Sequence, residues 1–169
     1  MVNYNLYFIK MNIDKVEKVN IFLEKTDKMS FFEQVEHFEK VLKESGSPDI
    51  YIGNSDAFPL THSFSDGIYT REIFIKKGMI AIGKIHKHEN TFFLLKGKLQ
   101  VFTEKGVIEM EAPIYGVSPS GTKRVVYALE DSVFLNVHPN PENIYDIEEL
   151  EKRMIVSDFA EYNEYKQLK

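Results

Sequence analysis

Between residues 50 and 138 the chain is a succession of short segments rich in Ile, Val, Tyr and Phe, cut at close intervals by Gly, Pro, Asp and Ser. The segments are 50–52, 68–75, 79–86, 91–95, 99–103, 107–111, 115–117, 124–129 and 132–138. Nine short strands at this spacing, with no helical periodicity between them, predict an antiparallel sandwich or barrel rather than an α/β fold. Glu104-Lys105-Gly106 reads as a hairpin turn in which the glycine supplies a positive φ, and Gly97 does the same in the preceding hairpin. Successive side chains of a strand point to opposite faces. Such a chain therefore presents one set of residues to an interior and the other to the outside.

The flanks read differently. Residues 2–11 (VNYNLYFIKM) alternate loosely and favour a strand, and residues 14–23 carry a rough helical pattern. Ser30 followed by Glu33 is a capping-box pair. Phe31, Phe32, Val35, Phe38, Val41 and Leu42 then repeat at helical spacing until Gly46 and Pro48 stop them. His37 lies off those apolar positions and reads as a surface residue. Beyond Asn140-Pro141, residues 145–154 read as a helix with acidic first turns, and residues 159–169 as a polar tail or partner-binding arm.

Composition narrows the function classes. The 169 residues suffice for one domain with a real core, and 43% of them are hydrophobic. A net charge of −5 lacks the basic footprint of general nucleic-acid or anionic-membrane binding, so neither partner is expected. Residues from 140 onward hold eight acidic and four basic side chains, which places −4 of that charge in one segment. With no cysteine there is no disulfide framework, thiolate metal site or cysteine nucleophile. No apolar run of transmembrane length and no signal peptide is seen, and a reducing, aqueous compartment is expected.

The candidate chemistry gathers on three strands. His86 and His88, two apart on one strand, are expected to project together. Such a pair suits a divalent ion such as Zn, Fe, Ni or Mn. On 132–138, Phe134, Asn136 and His138 share one face and Leu135 and Val137 the other, so His138 would add a third imidazole to a site with an open position. Arg124 shares its face with Val126 and Ala128. Together with Asn136 it supports a rival reading, in which its planar fork holds a carboxylate or other small anion. The two pictures compete, because a metal cation and a guanidinium repel at close range in a poorly solvated pocket. An acid such as Glu89 would be needed to reconcile them. His86 and Arg124 are both expected to face the interior. His62 sits in a polar stretch read as a turn, with no spacing that ties it to the His86 pair. Lys84, Lys87, Lys96 and Lys98 read as solvent-facing charges. No nucleophile elbow, phosphate loop or spaced acid pair is present.

The His pair followed by Gly97, and then Pro119-Ser120-Gly121 leading into another strand, resembles the two motifs of the cupins. Against that pattern the acidic ligand position falls at Asn90, beside Glu89, and the second-motif histidine position falls at Arg124. A closer resemblance, over about residues 61–159, is to small phage- and prophage-encoded cupin-like proteins of unassigned activity. It is carried by His62-Ser-Phe, Gly67-Ile-Tyr, Lys84-Ile-His86-Lys, Glu-Ala-Pro113, Ser118-Pro-Ser-Gly-Thr-Lys-Arg124, Tyr127-Ala-Leu-Glu-Asp131, Val137-His138 and Glu148-Glu-Leu-Glu. The resemblance implies a mainly β, cupin-like antiparallel jelly-roll barrel over 50–139. An N-terminal arm and helices over 1–49 would precede it, and a short helix and acidic tail over 140–169 would follow.

The resemblance further implies a non-enzymatic virion component or accessory assembly module, in the host cytoplasm or the virion. The alternatives are a cupin binding a small anionic ligand through Arg124 and Asn136, or a metal-dependent enzyme with one divalent ion on His86, His88 and His138. A homo-oligomer or larger phage assembly is expected, with the strand at 2–11 paired across a subunit boundary.

Overall fold

The computed structural model describes residues 28–45, 50–52, 58–103 and 106–168. The strand at 2–11, the helix at 14–23, the Gly46 and Pro48 stop and Glu104-Lys105 of the hairpin turn lie outside them.

The expected capping box opens helix α1 (Phe31–Ser45). Ser30 Oγ accepts from the Glu33 amide, and the Glu33 carboxylate accepts from the Ser30 amide at 2.8 Å. Its stripe of Val35, Phe38 and Val41 is buried against Ile80, Ile82, Phe102 and Val125. The strands follow as β1 (Ile50–Ile52), β2 (Leu60–Ser65), β3 (Ile68–Ile75), β4 (Ile80–Ile82), β5 (Ile85–His86) and β6 (Asn90–Lys96). Then come β7 (Lys98–Thr103), β8 (Gly106–Glu111), β9 (Ile114–Ser118), β10 (Val125–Ala128) and β11 (Ser132–Pro139). The chain closes with α2 (Ile147–Met154), β12 (Ile155–Val156) and α3 (Phe159–Gln167).

Ten strands form two five-stranded sheets, ordered β1-β4-β10-β7-β8 and β2-β3-β11-β6-β9. The expected antiparallel jelly roll is therefore the observed fold. One pairing departs from it: β1 runs parallel to β4 at the edge of the first sheet. The hairpin neighbours pair antiparallel by contrast, β2 with β3 and β7 with β8.

Alternation sorts the side chains between layers. In the first sheet Ile80, Ile82 and Val125 face out to α1, while Ala81 and Val126 face in. The interior joins Leu99, Val101, Val126 and Ala128 to Ile75, Leu94 and Phe134 of the second sheet. Burying side chains of this size stabilises the fold by about 1.5–3 kcal/mol each.

Three expectations needed revision. The segment 79–86 is two strands, broken at Gly83-Lys84, where the chain bends away from β4 and pairs with β12 as β5. His62, read between Thr61 and Ser63 in a polar turn, lies instead in strand β2, paired over its whole length with β3. Residues 159–167, read as a tail, are helix α3, whose N-cap Asp158 accepts from the Glu161 amide at 2.9 Å.

The last two helices close one end of the barrel. Leu150 and Met154 of α2 pack on Tyr69 and Phe64. Tyr162 of α3 packs on Ile85 and Val156 and lies so close to Gly121 that a Cβ there would stand 2.8 Å from its ring. Gly121 also has a φ of +86°, so glycine answers both demands. Among the described residues, no helix is long and apolar enough to cross a membrane.

Candidate ligand-binding site

Register places the candidate side chains in two rows across the inner face of the second sheet. One row runs His62, Arg71, Asn136, Phe92 and Gly116, each paired with the next across β2, β3, β11, β6 and β9. A second begins with Phe64, Tyr69 and His138, and Asn90 pairs with Ser118 on the far strands at the same end. The row on the other side holds Leu60, Ile73, Phe134, Leu94 and Ile114. The interior is thus polar toward the end closed by α2 and apolar beyond it. Arg124 and His86 enter from the opposite side, on the segments flanking Gly83 and Gly121 that hydrogen-bond to one another. Between the sheets lies a cavity of about 140 Å³ that meets Arg71, His86, Arg124 and Asn136 at its polar end and Ile73 and Phe134 along its walls.

Arg124 is held on two sides. Its Nη2 donates to Ser118 Oγ at 2.5 Å, and its guanidinium lies 4.9 Å from the ring centroid of Phe92. Gly116 makes room for that ring: a Cβ at 116 would stand 2.9 Å from Phe92 Cζ. Burial pulls the Arg124 pKa down to about 10, and among the described residues no carboxylate pairs with it. Arg71, the neighbouring guanidinium, pairs with Glu151 of α2 at 3.4 Å. Asn136 donates to Asn90 Oδ1 at 2.7 Å, and Asn90 Nδ2 is buried with no hydrogen-bond partner among the described residues.

The histidines divide into two groups. His86 and His138 stand with nearly parallel rings, centroids 5.3 Å apart. Burial, then His138, Arg124 and Arg71, pushes His86 down to about 3. Burial, then Arg71 and His88, pushes His138 down to about 4. Both are therefore neutral imidazoles at neutral pH, and His86 Nδ1 is buried with no partner. The row continues outward: Tyr69 lies 6.0 Å from His138, and its hydroxyl meets His62 Nδ1 at 2.7 Å. Burial raises the Tyr69 pKa, whereas burial and Arg71 lower that of His62.

His88 does not join His86, because strand β5 ends at His86 and the i, i+2 rule lapses there. Its Nδ1 lies 3.4 Å from the Tyr165 hydroxyl of α3, with the two rings edge-on. Glu89 is exposed and does not line the cavity. The residues that sequence reading passed over are His62, Tyr69, Arg71 and Glu151. Arg71 carried a legible signal, since it sits in register with Tyr69, Ile73 and Ile75 on the inward face of a strand that is otherwise aromatic and aliphatic.

These residues do not fit a resident divalent ion. A metal centre needs three or more converging nitrogen, sulfur or oxygen ligands. Among the described residues no three His, Cys, Asp or Glu side chains come together to hold one. Of the two imidazoles that do meet, His86 lines the cavity together with two guanidinium groups, and among the described residues no carboxylate lines it.

A two-sheet barrel of this kind is a cupin-like jelly roll, and solved structures similar to this chain include cupin proteins. They include a cupin-2 domain protein from Shewanella frigidimarina, 14% identical over 51% of this chain and 84% of that one, with a TM-score of 0.42. Another is KdgF from a Halomonas species, 15% identical over 51% and 82%, with a TM-score of 0.44. A third is a putative ethanolamine utilization protein Q from Salmonella typhimurium, 15% identical over 48% and 68%, with a TM-score of 0.41. No family model matches the sequence, and no curated protein matches it.

Proposed function

We propose that this protein binds a small carboxylate in the barrel, with the anionic head on Arg124 and a compact apolar tail toward Ile73 and Phe134. The single observation that carries this reading is Arg124 itself, a desolvated guanidinium that lines a mostly apolar cavity and faces no carboxylate among the described residues. Leaving a buried cation without a counter-charge costs several kcal/mol unless a ligand supplies one. The unpartnered Asn90 Nδ2 adds a donor nearby, and neutral His86 offers a nitrogen of either polarity according to its tautomer. A cavity of about 150 Å³ holds a benzene-sized molecule, which limits the ligand to a short-chain acid. No reaction step is assigned to the site.

Isothermal titration of the full chain with butyrate and with uncharged butyramide tests this. Butyrate binds more tightly by about tenfold or more, and Arg124→Gln removes the difference. Equal affinity for the acid and its amide overturns the reading. A role as a virion component or assembly module rests on the sequence resemblance, and its supporting strand at 2–11 lies outside the described residues.

A further inference from the structure

We infer that Glu151 sets the charge of the ligand: it cancels Arg71, so the site selects monocarboxylates and rejects dicarboxylates. This rests on the carboxylate reading of the cavity and adds a specificity determinant to it. Two guanidinium groups line one small cavity, and the other cation on its lining, Lys84, also lines the outer groove that holds Glu36, Glu39, Glu44 and Asp158. Left to themselves, two cations in a poorly solvated space favour a dianion, each taking one carboxylate.

The cancelling charge comes from outside the barrel. Glu151 stands on α2, the helix whose Leu150 and Met154 pack on Tyr69 and close that end. Its Oε1 meets Arg71 Nη1 at 3.4 Å, and its field also reaches His62 and Tyr69 on the same inner face. The side chain is about a quarter exposed, so screening is incomplete.

The consequence is a difference between the two guanidinium groups. Arg124 meets a hydroxyl and an aromatic face and keeps its whole charge for the ligand. Arg71 is already opposed by a carboxylate. A ligand's second carboxylate, reaching toward Arg71, would meet a cation whose charge Glu151 already opposes and would lie near the like charge of Glu151, which is disfavoured. The site therefore balances one negative charge.

The test compares butyrate with malonate, two short acids that differ by one carboxylate, by titration of the full chain at neutral pH. Wild-type protein binds butyrate about tenfold or more tightly than malonate. Glu151→Gln, which keeps size and hydrogen bonding, brings the ratio to one or reverses it. Glu148→Gln, an exposed neighbour on the same helix, leaves the ratio as in the wild type. The double variant Arg71→Gln/Glu151→Gln removes both charges, and its preference returns to butyrate. If Glu151→Gln alone proves too unstable to titrate, Arg71→Gln is read instead: it leaves Glu151 unopposed, so butyrate binding weakens about tenfold or more, and unchanged butyrate binding overturns the inference.

Unchanged selectivity in Glu151→Gln, with butyrate still bound, overturns the inference and leaves the carboxylate site standing. A wild-type preference for malonate overturns it as well. Failure of wild-type protein to bind either acid overturns both.

Discussion

Replacing Arg124 by Met asks whether the buried guanidinium serves the fold or a ligand. The fall of its pKa to about 10 through burial corresponds to about 3 kcal/mol disfavouring the cation in the folded chain. Set against this are the charge-assisted bond to Ser118, about 1.5–3 kcal/mol, and the contact with Phe92, about 0.5–2 kcal/mol. Methionine keeps much of the packing of the stem and discards all three effects. The expected net change runs from about 1 kcal/mol gained to about 2 kcal/mol lost, at or below the low end of the roughly 2–5 kcal/mol of an ordinary large-to-small change in a core. Urea unfolding of the ligand-free variant and wild type reads this directly, and butyrate titration on the same samples shows binding lost. The sign with pH is fixed too. The arginine is charged in both states at neutral pH, so its penalty is constant there. Stability is regained only above about pH 10, where the buried group gives up its proton before the unfolded one does. A loss of more than about 2 kcal/mol in the ligand-free variant would refute the reasoning and make Arg124 a structural residue.

Acid exposes the two buried imidazoles. With His86 near 3 and His138 near 4, the unfolded chain takes up protons first as pH falls below about 6.5, and stability drops by up to about 1.4 kcal/mol per pH unit for each. Thermal melts from pH 7 to 4.5 show this slope, and a His86→Asn/His138→Asn variant with the same slope contradicts it. Lys123, with its side chain 2% exposed, pairs with Glu39 of α1 at 2.7 Å. Glu39→Ala strands that charge and costs about 3 kcal/mol, whereas Glu39→Leu/Lys123→Met recovers most of the loss in the same denaturation assay. Gly121→Ala meets both a left-handed φ and the Tyr162 ring. Amide exchange in α3 then accelerates while that of the central strands β3 and β11 does not.

The strands that read clearly from the sequence are those in which apolar residues dominate one or both faces, and β3 falls at 68–75 as expected. Strand β2 escaped because its sequence LTHSFS is mostly Ser, Thr and His, whose local preferences are those of turns. Its pairing with β3 overrode them, and with it His62 moved from a surface turn into the barrel. Helix α3 escaped because Phe159, Tyr162 and Tyr165 are its few anchors, and they bury against an end of the barrel that forms only when β5 and β12 meet. The same short pairing explains His88: a two-residue strand cannot carry an alternation past His86. Arg124 and Asn136 were legible from period-two alternation. The Glu151 contact was not, since 80 residues separate it from Arg71 in the chain and only the closing of α2 over the barrel end unites them.

The row-by-row layering of the inner face has an evolutionary corollary. Successive inward positions on one strand lie about 7 Å apart. In the proposed reading, the polar positions Arg71 and Asn136 beside the head and the tail positions Ile73 and Phe134 are thus set by alternate codons of two paired strands rather than by separate loops. Trading Ile73 or Phe134 for smaller or larger apolar residues lengthens or shortens the acceptable chain and leaves the charge selector alone. A lineage carrying this scaffold can therefore drift among homologous acids by single substitutions while keeping one class of head group.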